Sequence, residues 1–344
     1  MAMVDVTVRG AGAFGLSVAY ACALKGARVR VVDPAGVGGG ASGGIVGALA
    51  PHVPENWNAK KAFQFAALDM GEAFWRGVEE TGGVPSSYAR TGRLQPIADD
   101  HARALAEARA VTAQMLWEGR YVWEVVAAPS DWAPVTPTGL VIHDTLTARM
   151  FPRHACASLA AAVQALGGTL ATEAQDEGAV VWATGAAGLA ALSAERGRMV
   201  GVAVKGQSAR LAFDARDLPQ IFADTVHVVP HADGTTAIGS TTEREFDAPD
   251  TTDDQLDAVL ARALAAVPAL ADAPVIERWA GLRPRARTRS PMIGAWPDRP
   301  GHFIANGGFK IGFGIAPMIG QVMADLVLDG RDAIPDDFKP EASF

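Results

Sequence analysis

Near the start of the chain the apolar run Val4-Asp5-Val6-Thr7-Val8 has the character of a buried strand, and from Phe14 to Leu24 apolar residues recur at helical spacing. A second run, Val29-Arg30-Val31-Val32, follows and stops at Asp33. Further on, 60–81 and 99–117 show helical spacing, separated by the turn-rich Gly82-Gly83-Val84-Pro85 and a short strand candidate at Arg93-Leu94-Gln95. The segment 121–138, with Trp123, Trp132 and several prolines, reads as irregular or as a sheet edge. A βαβ-like passage is expected from Val141-Ile142-His143 through a helix over 152–166 to Thr169-Leu170-Ala171. The fully apolar Ala179-Val180-Val181-Trp182-Ala183 predicts a buried strand ending in Thr184-Gly185. Short alternating strands are expected between 199 and 241. A helix from Asp253 to about Val267, capped by Thr251 or Thr252, comes next, then a strand at His302-Phe303-Ile304-Ala305 and a final helix ending near Leu328.

The glycines between the first strand and helix add chemistry to this pattern. Gly10, Gly12 and Gly15, followed by Ala19, Gly26 and Asp33, stand in the order of a dinucleotide-binding unit. In such a unit Gly10 makes the tight turn, Gly12 lets the backbone approach a pyrophosphate, and Gly15 permits close packing of helix on strand. Oriented N–H groups at the helix start would face the phosphates. Asp33 would accept hydrogen bonds from a ribose and disfavour a 2′-phosphate. From Gly36 to Pro51 glycine is so frequent that a regular element is excluded, and a loop lying against a close neighbour is expected.

Composition narrows the class. With 344 residues, 49% hydrophobic and 20% charged, the chain can bury a full core and is expected to hold two domains. The longest apolar stretches are broken by Gly, Arg or Pro, so no membrane span is expected. No secretory leader pattern is seen, and a cytoplasmic location follows as an expectation. Cys22 and Cys156 sit in alanine-rich helical patterns, which suits reduced core thiols, and no Cys–His cluster has metal-ligand spacing. A net charge of −8 argues against a nucleic-acid partner.

These motifs, taken together along the chain, resemble the D-amino-acid oxidase family of flavoproteins, in its glycine oxidase-like branch. The resemblance is carried by Gly10-x-Gly12-x-x-Gly15-x-x-x-Ala19 with Gly26 and Asp33, and by Ala41-Ser42-Gly43-Gly44 with Gly47-Ala48-Leu49-Ala50-Pro51. It extends through Lys205-Gly206-Gln207, Ile238-Gly239-Ser240-Thr241 and Ala280-Gly281-Leu282-Arg283-Pro284 with Pro291-Met292-Ile293-Gly294. Gly307-Gly308-Phe309-Lys310-Ile311-Gly312 with Ala316-Pro317 completes it. The resemblance implies an α/β fold, with a Rossmann-like parallel-sheet FAD domain and a second, substrate domain on a mixed, largely antiparallel sheet. The expected division is 1–50, 139–190 and 279–344 for the FAD domain, and 51–138 and 191–278 for the substrate domain.

The resemblance also implies non-covalent FAD. Its contacts would come from Gly10, Gly12, Ala13, Phe14, Gly15, Asp33, Pro34, Ala41, Ser42, Val46, Gly47, Ala48 and Leu49, from Ala171, Ala183, Thr184 and Gly185, and from the Gly307, Gly308, Phe309, Lys310, Ile311, Gly312, Phe313, Gly314 loop. Arg283 and Lys310 are the expected catalytic and substrate-holding residues, with His227 in the substrate pocket. Two features depart from the family. Lys310 stands where glycine oxidase members carry an arginine, and it keeps the charge without the planar fork. The segment from Thr169 to Ala183 is too short for the β-meander usual there.

Each candidate has a plainer alternative. Arg283 could form a surface ion pair, Lys310 could be solvated, and His227 among apolar neighbours could be a packing residue. Arg285, Arg287 and Arg289 could form an anion site or a solvated basic edge. Trp279 and the other tryptophans read as core or domain-interface residues. The implied chemistry is oxidation of the C–N bond of a small amino acid by hydride transfer to flavin, giving an imine and then a 2-oxo acid, with oxygen or an electron carrier as acceptor. A dehydrogenase of amino or 2-hydroxy acids, and a non-catalytic FAD-binding protein, remain open beside it, as does a homo-oligomer.

Overall fold

The computed structural model describes residues 3–344, so the first two residues of the expected FAD segment lie outside them. In chain order the first elements are β1 (Val6–Arg9), α1 (Ala13–Leu24), β2 (Val29–Val32), β3 (Gly47–Leu49), α2 (Ala59–Gly82), β4 (Arg93–Pro96) and α3 (Asp100–Leu116). Next come β5 (Trp123–Ala127), β6 (Leu140–Asp144), β7 (Ala148–Met150), α4 (Pro152–Ala165), β8 (Thr169–Ala171), β9 (Ala179–Trp182) and α5 (Gly185–Arg196). The remainder is β10 (Gly201–Leu211), β11 (Gln220–Ala223), β12 (Val226–Pro230), β13 (Thr236–Gly239), α6 (Asp254–Ala266), β14 (Val275–Ala286), β15 (Met292–Ala295), β16 (His302–Asn306) and α7 (Gly312–Asp329).

Two main sheets result. One has the order β15-β16-β9-β1-β2-β8 and is parallel except for the edge strand β15. Its inner strands bury Val6, Val8, Val31 and Val181 on one face, while Thr7, Arg9 and Arg30 on the other face bond to the 174–177 loop. The other, β14-β10-β13-β12-β11-β4-β6-β5, is antiparallel except where β11 meets β4. A short ribbon, β3 with β7, joins the glycine-rich loop to the rest. The fold is thus α/β, with a parallel-sheet domain and a mixed-sheet domain.

Helix α1 is buried along nearly its whole length. A Cβ on Gly320 of α7 would lie 2.6 Å from the Ser17 carbonyl oxygen of α1, so the backbones of these helices touch where glycine allows it. By length and composition α7 could cross a membrane, but half of it is buried inside the protein, where Ile315, Ile319 and Met323 join the core.

Several expectations are corrected. Strand Leu140–Asp144 hydrogen-bonds to β4 and β5 in the mixed sheet, so 141–171 is not a βαβ unit; only β8 joins the parallel sheet, beside β2. For the same reason the segment expected as 139–190 of the FAD domain begins in the other sheet. The segment expected from 279 likewise starts in the mixed sheet, because β14 pairs with β10 as far as Ala286. Asp253, not Thr251 or Thr252, caps α6, its side chain accepting from the Gln255 N–H. The region expected to hold only short strands contains the eleven-residue β10. Between β8 and β9 the chain makes one short loop, held where Arg9 meets Asp176 (2.6 Å) and Arg30 meets Glu177 (2.7 Å). Strand β5 lies at a sheet edge as expected.

Candidate active site

The cofactor cradle forms where the parallel strand order reverses. From β1 the chain passes to β2 on one side, while β9 arrives on the other, leaving a crevice at the carboxyl ends of β1 and β9. Gly10 sits there with φ +114°, and a Cβ on it would lie 2.3 Å from the Ala183 carbonyl oxygen. A Cβ on Gly15 would lie 1.9 Å from the Gly10 carbonyl oxygen, so this glycine sets how closely α1 meets its own turn. The Ala13 N–H donates to Ser42 Oγ (3.0 Å), which brings the Ala41–Gly43 turn to the helix start, and a Cβ on Gly12 would touch that same hydroxyl at 3.0 Å. Asp33 accepts from the Ala11 N–H with one oxygen (2.8 Å) and from the Ala35 N–H with the other (2.9 Å). Its carboxylate therefore braces the glycine turn, and a ribose would meet its remaining lone pairs. Exposed Pro34 follows, and the Asp33 N–H donates to Ala171 (3.0 Å).

The helix starts differ in a way that bears on an anionic ligand. Helices α2, α3 and α6 are capped by the side chains of Asn58, Asp99 and Asp253. Helices α1, α5 and α7, and also α4 with Pro152 in its first turn, have no side-chain cap and no acidic residue in the first turn. Their first N–H groups are left for a partner from outside the helix. Thr184 and Gly185 form the start of α5, Ile311, Gly312, Phe313 and Gly314 that of α7. The two ends of the cradle meet at Gly308, where a Cβ would lie 2.6 Å from the Phe14 ring of α1. Gly307 has φ +77° and Phe309 φ +44°, and the Phe309 N–H donates to Pro284 (3.0 Å), fixing the loop to β14.

One face of the mixed sheet supplies the other wall. His227, Gly239, Ser208 and Trp279 lie in register across β12, β13, β10 and β14, and directly paired residues share a face. The next row holds the pair Gly206 and Gly281. These small residues keep the floor low. The Val46 side chain would lie 2.8 Å from a Cβ on Gly239, so the loop entering β3 (Gly47, Ala48, Leu49) rests on that floor. The Trp279 ring covers Gly281 and touches Gly44, in agreement with an interface role.

Arg283, two residues beyond Gly281, lies over the same floor, with its guanidinium 1.9 Å from where a Cβ on Gly206 would be. It donates to Ser240 Oγ (2.7 Å) and to the Thr241 carbonyl (3.2 Å), and among the described residues no carboxylate lies within salt-bridge distance of it. Burial lowers its pKa to about 10, opposed by the charge of Glu243, and it stays cationic at neutral pH. Lys310 at the rim donates to Thr242 Oγ1 (2.8 Å); desolvation and then the Arg283 charge lower its pKa. Burial, with the charges of Arg93, Lys310 and Arg283, pushes His227 down to about 3, so it is a neutral imidazole. Its Nδ1 has no partner, and its ring leans on Phe222 at 4.6 Å.

The arginine run is dispersed. Arg285 lies over the Phe309 ring (5.7 Å), Arg287 donates to the carbonyls of Ala342 and Ser343, and Arg289 occupies a left-handed turn at φ +64°. The three do not converge on a single anion site, and Arg287 and Arg289 are exposed. No group of His, Cys, Asp or Glu suited to a metal occurs among the described residues.

Residues 5–326 match the family described as FAD dependent oxidoreductase. The chain belongs to this family. It is an FAD-dependent oxidoreductase of the D-amino-acid oxidase type, and its cofactor is FAD. Glycine oxidase of Pseudomonas putida is 29% identical over 98% of this chain and 98% of its own. The glycine oxidase structure of Geobacillus kaustophilus superposes with a TM-score of 0.82 at 21% identity, covering 97% of both chains. The structure of iminodiacetate oxidase from Chelativorans sp. BNC1 does so with 0.83 at 23% identity, covering 98% of this chain and 99% of its own. The cradle suits FAD: uncapped helix starts would meet its anionic groups, and Gly12 keeps the approach clear beside Ser42.

Sequence reading did not single out Gly206, Ser240, Thr241 or Thr242 as site residues. Gly206, a side-chain-free position between Lys205 and Gln207 in a strand, was the available signal.

Proposed function

We propose that the chain oxidises the C–N bond of a small amine that carries a carboxylate, with oxygen as the electron acceptor, and that the preferred amine is larger than glycine or secondary. One observation carries this reading: Arg283 lies over a glycine floor at the inner face of the mixed sheet, largely withdrawn from water and without a carboxylate of the protein in an ion pair. A desolvated guanidinium with free donors fits an incoming carboxylate in two parallel hydrogen bonds. Bound FAD supplies the hydride acceptor and passes the electron pair on. Arg283 would orient the substrate so that its Cα–H faces the cofactor cradle, and the amine lone pair would assist as the hydride leaves. No side-chain base is required, which agrees with His227, whose pKa burial and the nearby cations lower so far that it is a weak base. Loss of hydride and one proton leaves an imine, and water converts it to a 2-oxo acid and an amine, which is ammonia when the substrate amine is primary.

Lys310 favours a substrate other than glycine. Tied to Thr242 as a point charge, it attracts a carboxylate without fixing its plane, so further substrate contacts must supply orientation. Non-covalent attachment of FAD fits the two cysteines, both buried in helices, whose thiols burial pushes up to about 12.

The test is steady-state oxidation of glycine, sarcosine, proline and D-alanine with peroxide detection. Arg283→Ala should cost on the order of 3 kcal/mol in kcat/KM while FAD content stays near normal. Unchanged kinetics in that variant would make Arg283 structural, and oxidation without peroxide would replace oxygen by another acceptor. Acid precipitation should release all of the flavin.

A further inference from the structure

The two cations of the site rest on three consecutive residues. Arg283 donates to Ser240 Oγ and to the Thr241 carbonyl, and Lys310 donates to Thr242 Oγ1. This segment follows β13 and belongs to no strand. Its fixture lies on the far side of the sheet, because Lys205 and Gln207 alternate with Gly206 and Ser208 along β10 and so point away from Arg283.

Thr241 is the link between the two sides. Its N–H donates to the Gln207 carbonyl (3.2 Å), and its Oγ1 accepts from the Gln207 N–H (2.8 Å) and donates to Glu243 Oε1. That oxygen also accepts from Gln207 Nε2 (3.0 Å). The backbones of Lys205 and Glu243 exchange hydrogen bonds of 2.9 and 3.0 Å. Lys205 Nζ, buried, lies 3.5 Å from Glu243 Oε2 and 3.4 Å from Asp253, the cap of α6. A buried ion pair contributes little net stability relative to apolar residues of the same shape, because both charges are desolvated. It does fix geometry, since the hydrogen bonds from Thr241 and Gln207 that converge on Glu243 Oε1 restrict one another.

We propose that Thr241 and Glu243 are positioning residues for substrate binding: the buried Lys205–Glu243 pair, acting through the Thr241 hydroxyl, holds the Ser240–Thr241 acceptors where they aim Arg283 at a carboxylate. Two acceptors hold the inner edge of the guanidinium and leave its other donors for the ligand. This rests on the reading of Arg283 as the carboxylate clamp.

The experiment uses the FAD-loaded protein and two readouts, KM and kcat for its best substrate, and acetate binding followed by the flavin absorbance change. Thr241→Val, which removes the hydroxyl and keeps the shape, should raise KM and the acetate Kd on the order of tenfold, with kcat within about threefold and FAD content unchanged. Thr241→Ser should restore both. Glu243→Gln should weaken acetate in the same direction, and serves if the valine variant does not fold. In an Arg283→Ala background Thr241→Val should add nothing, because its effect passes through Arg283. Wild-type acetate binding in Thr241→Val, or a full extra loss in the double variant, overturns the proposal while leaving the clamp in place. If Arg283→Ala binds acetate like the wild type, the clamp itself fails and the proposal falls with it.

Discussion

Gly206 and Arg283 make one unit across β10 and β14, since the guanidinium occupies the space a side chain at 206 would need. Gly206→Ala should therefore displace Arg283 and mimic part of the Arg283→Ala loss in kcat/KM, with β10 intact; kinetics and circular dichroism together check this. In the proposed function Lys310 sets substrate choice. Lys310→Arg should raise activity on glycine relative to sarcosine, by supplying a planar fork beside Arg283, and Lys310→Met should raise KM for every carboxylate substrate. If all KM values survive Lys310→Met, the ammonium serves solvent and Thr242 alone. Arg283 was legible in the sequence because arginine between Gly-Leu and Pro is chemically conspicuous. Its anchors were not, since Ser240 and Thr241 lie some forty positions away in the chain and are brought to it by strand pairing.

At the scale of elements, the starts of α2, α3 and α6 are completed by side-chain caps, and those of α1, α5 and α7 carry none. Asn58 caps α2 by accepting from the Lys61 N–H (3.0 Å), so Asn58→Ala should cost about 1 kcal/mol of stability and leave FAD affinity unchanged. Gly12→Val at the start of α1 should behave in the opposite way. Its Cβ would press on Ser42 Oγ and its methyl groups would enter the phosphate approach, so FAD affinity should fall at least about tenfold. Thermal melts and flavin titrations of the two variants separate the effects, and equal FAD affinity in Gly12→Val removes that residue from the cradle. The long helices and the opening βαβ unit were visible as periodicity, because their apolar residues all answer to one nearby core. Strand Leu140–Asp144 looked the same locally, yet its edges find β4 and β5 instead of the parallel sheet.

In the whole molecule the chain crosses between the two sheets several times, and the site lies where their surfaces meet. This arrangement buries histidine as well as apolar residues. His231 is stacked on Phe151 (4.5 Å), and burial lowers its pKa to about 4; His227 is lowered to about 3. An unfolded histidine titrates near 6.5, so the unfolded chain binds more protons below that value and stability falls as pH drops from about 6.5 towards 4 and 3. The melting temperature should decline over this range, and less steeply in His231→Gln; equal slopes would show that other groups dominate acid unfolding. The glycine turn of a dinucleotide-binding unit and the candidate Arg283 follow from the sequence alone, and the α/β class and FAD follow from the resemblance its motifs carry. The turn and the arginine depend on local backbone demands and side-chain chemistry, which neighbouring residues express directly. Only the tertiary structure decided which strands share a sheet, that Asp33 braces the turn, that Arg285, Arg287 and Arg289 part company, and that Ser240 to Thr242 carry both site cations. Those outcomes depend on pairings between distant segments, and local periodicity holds no record of the partner.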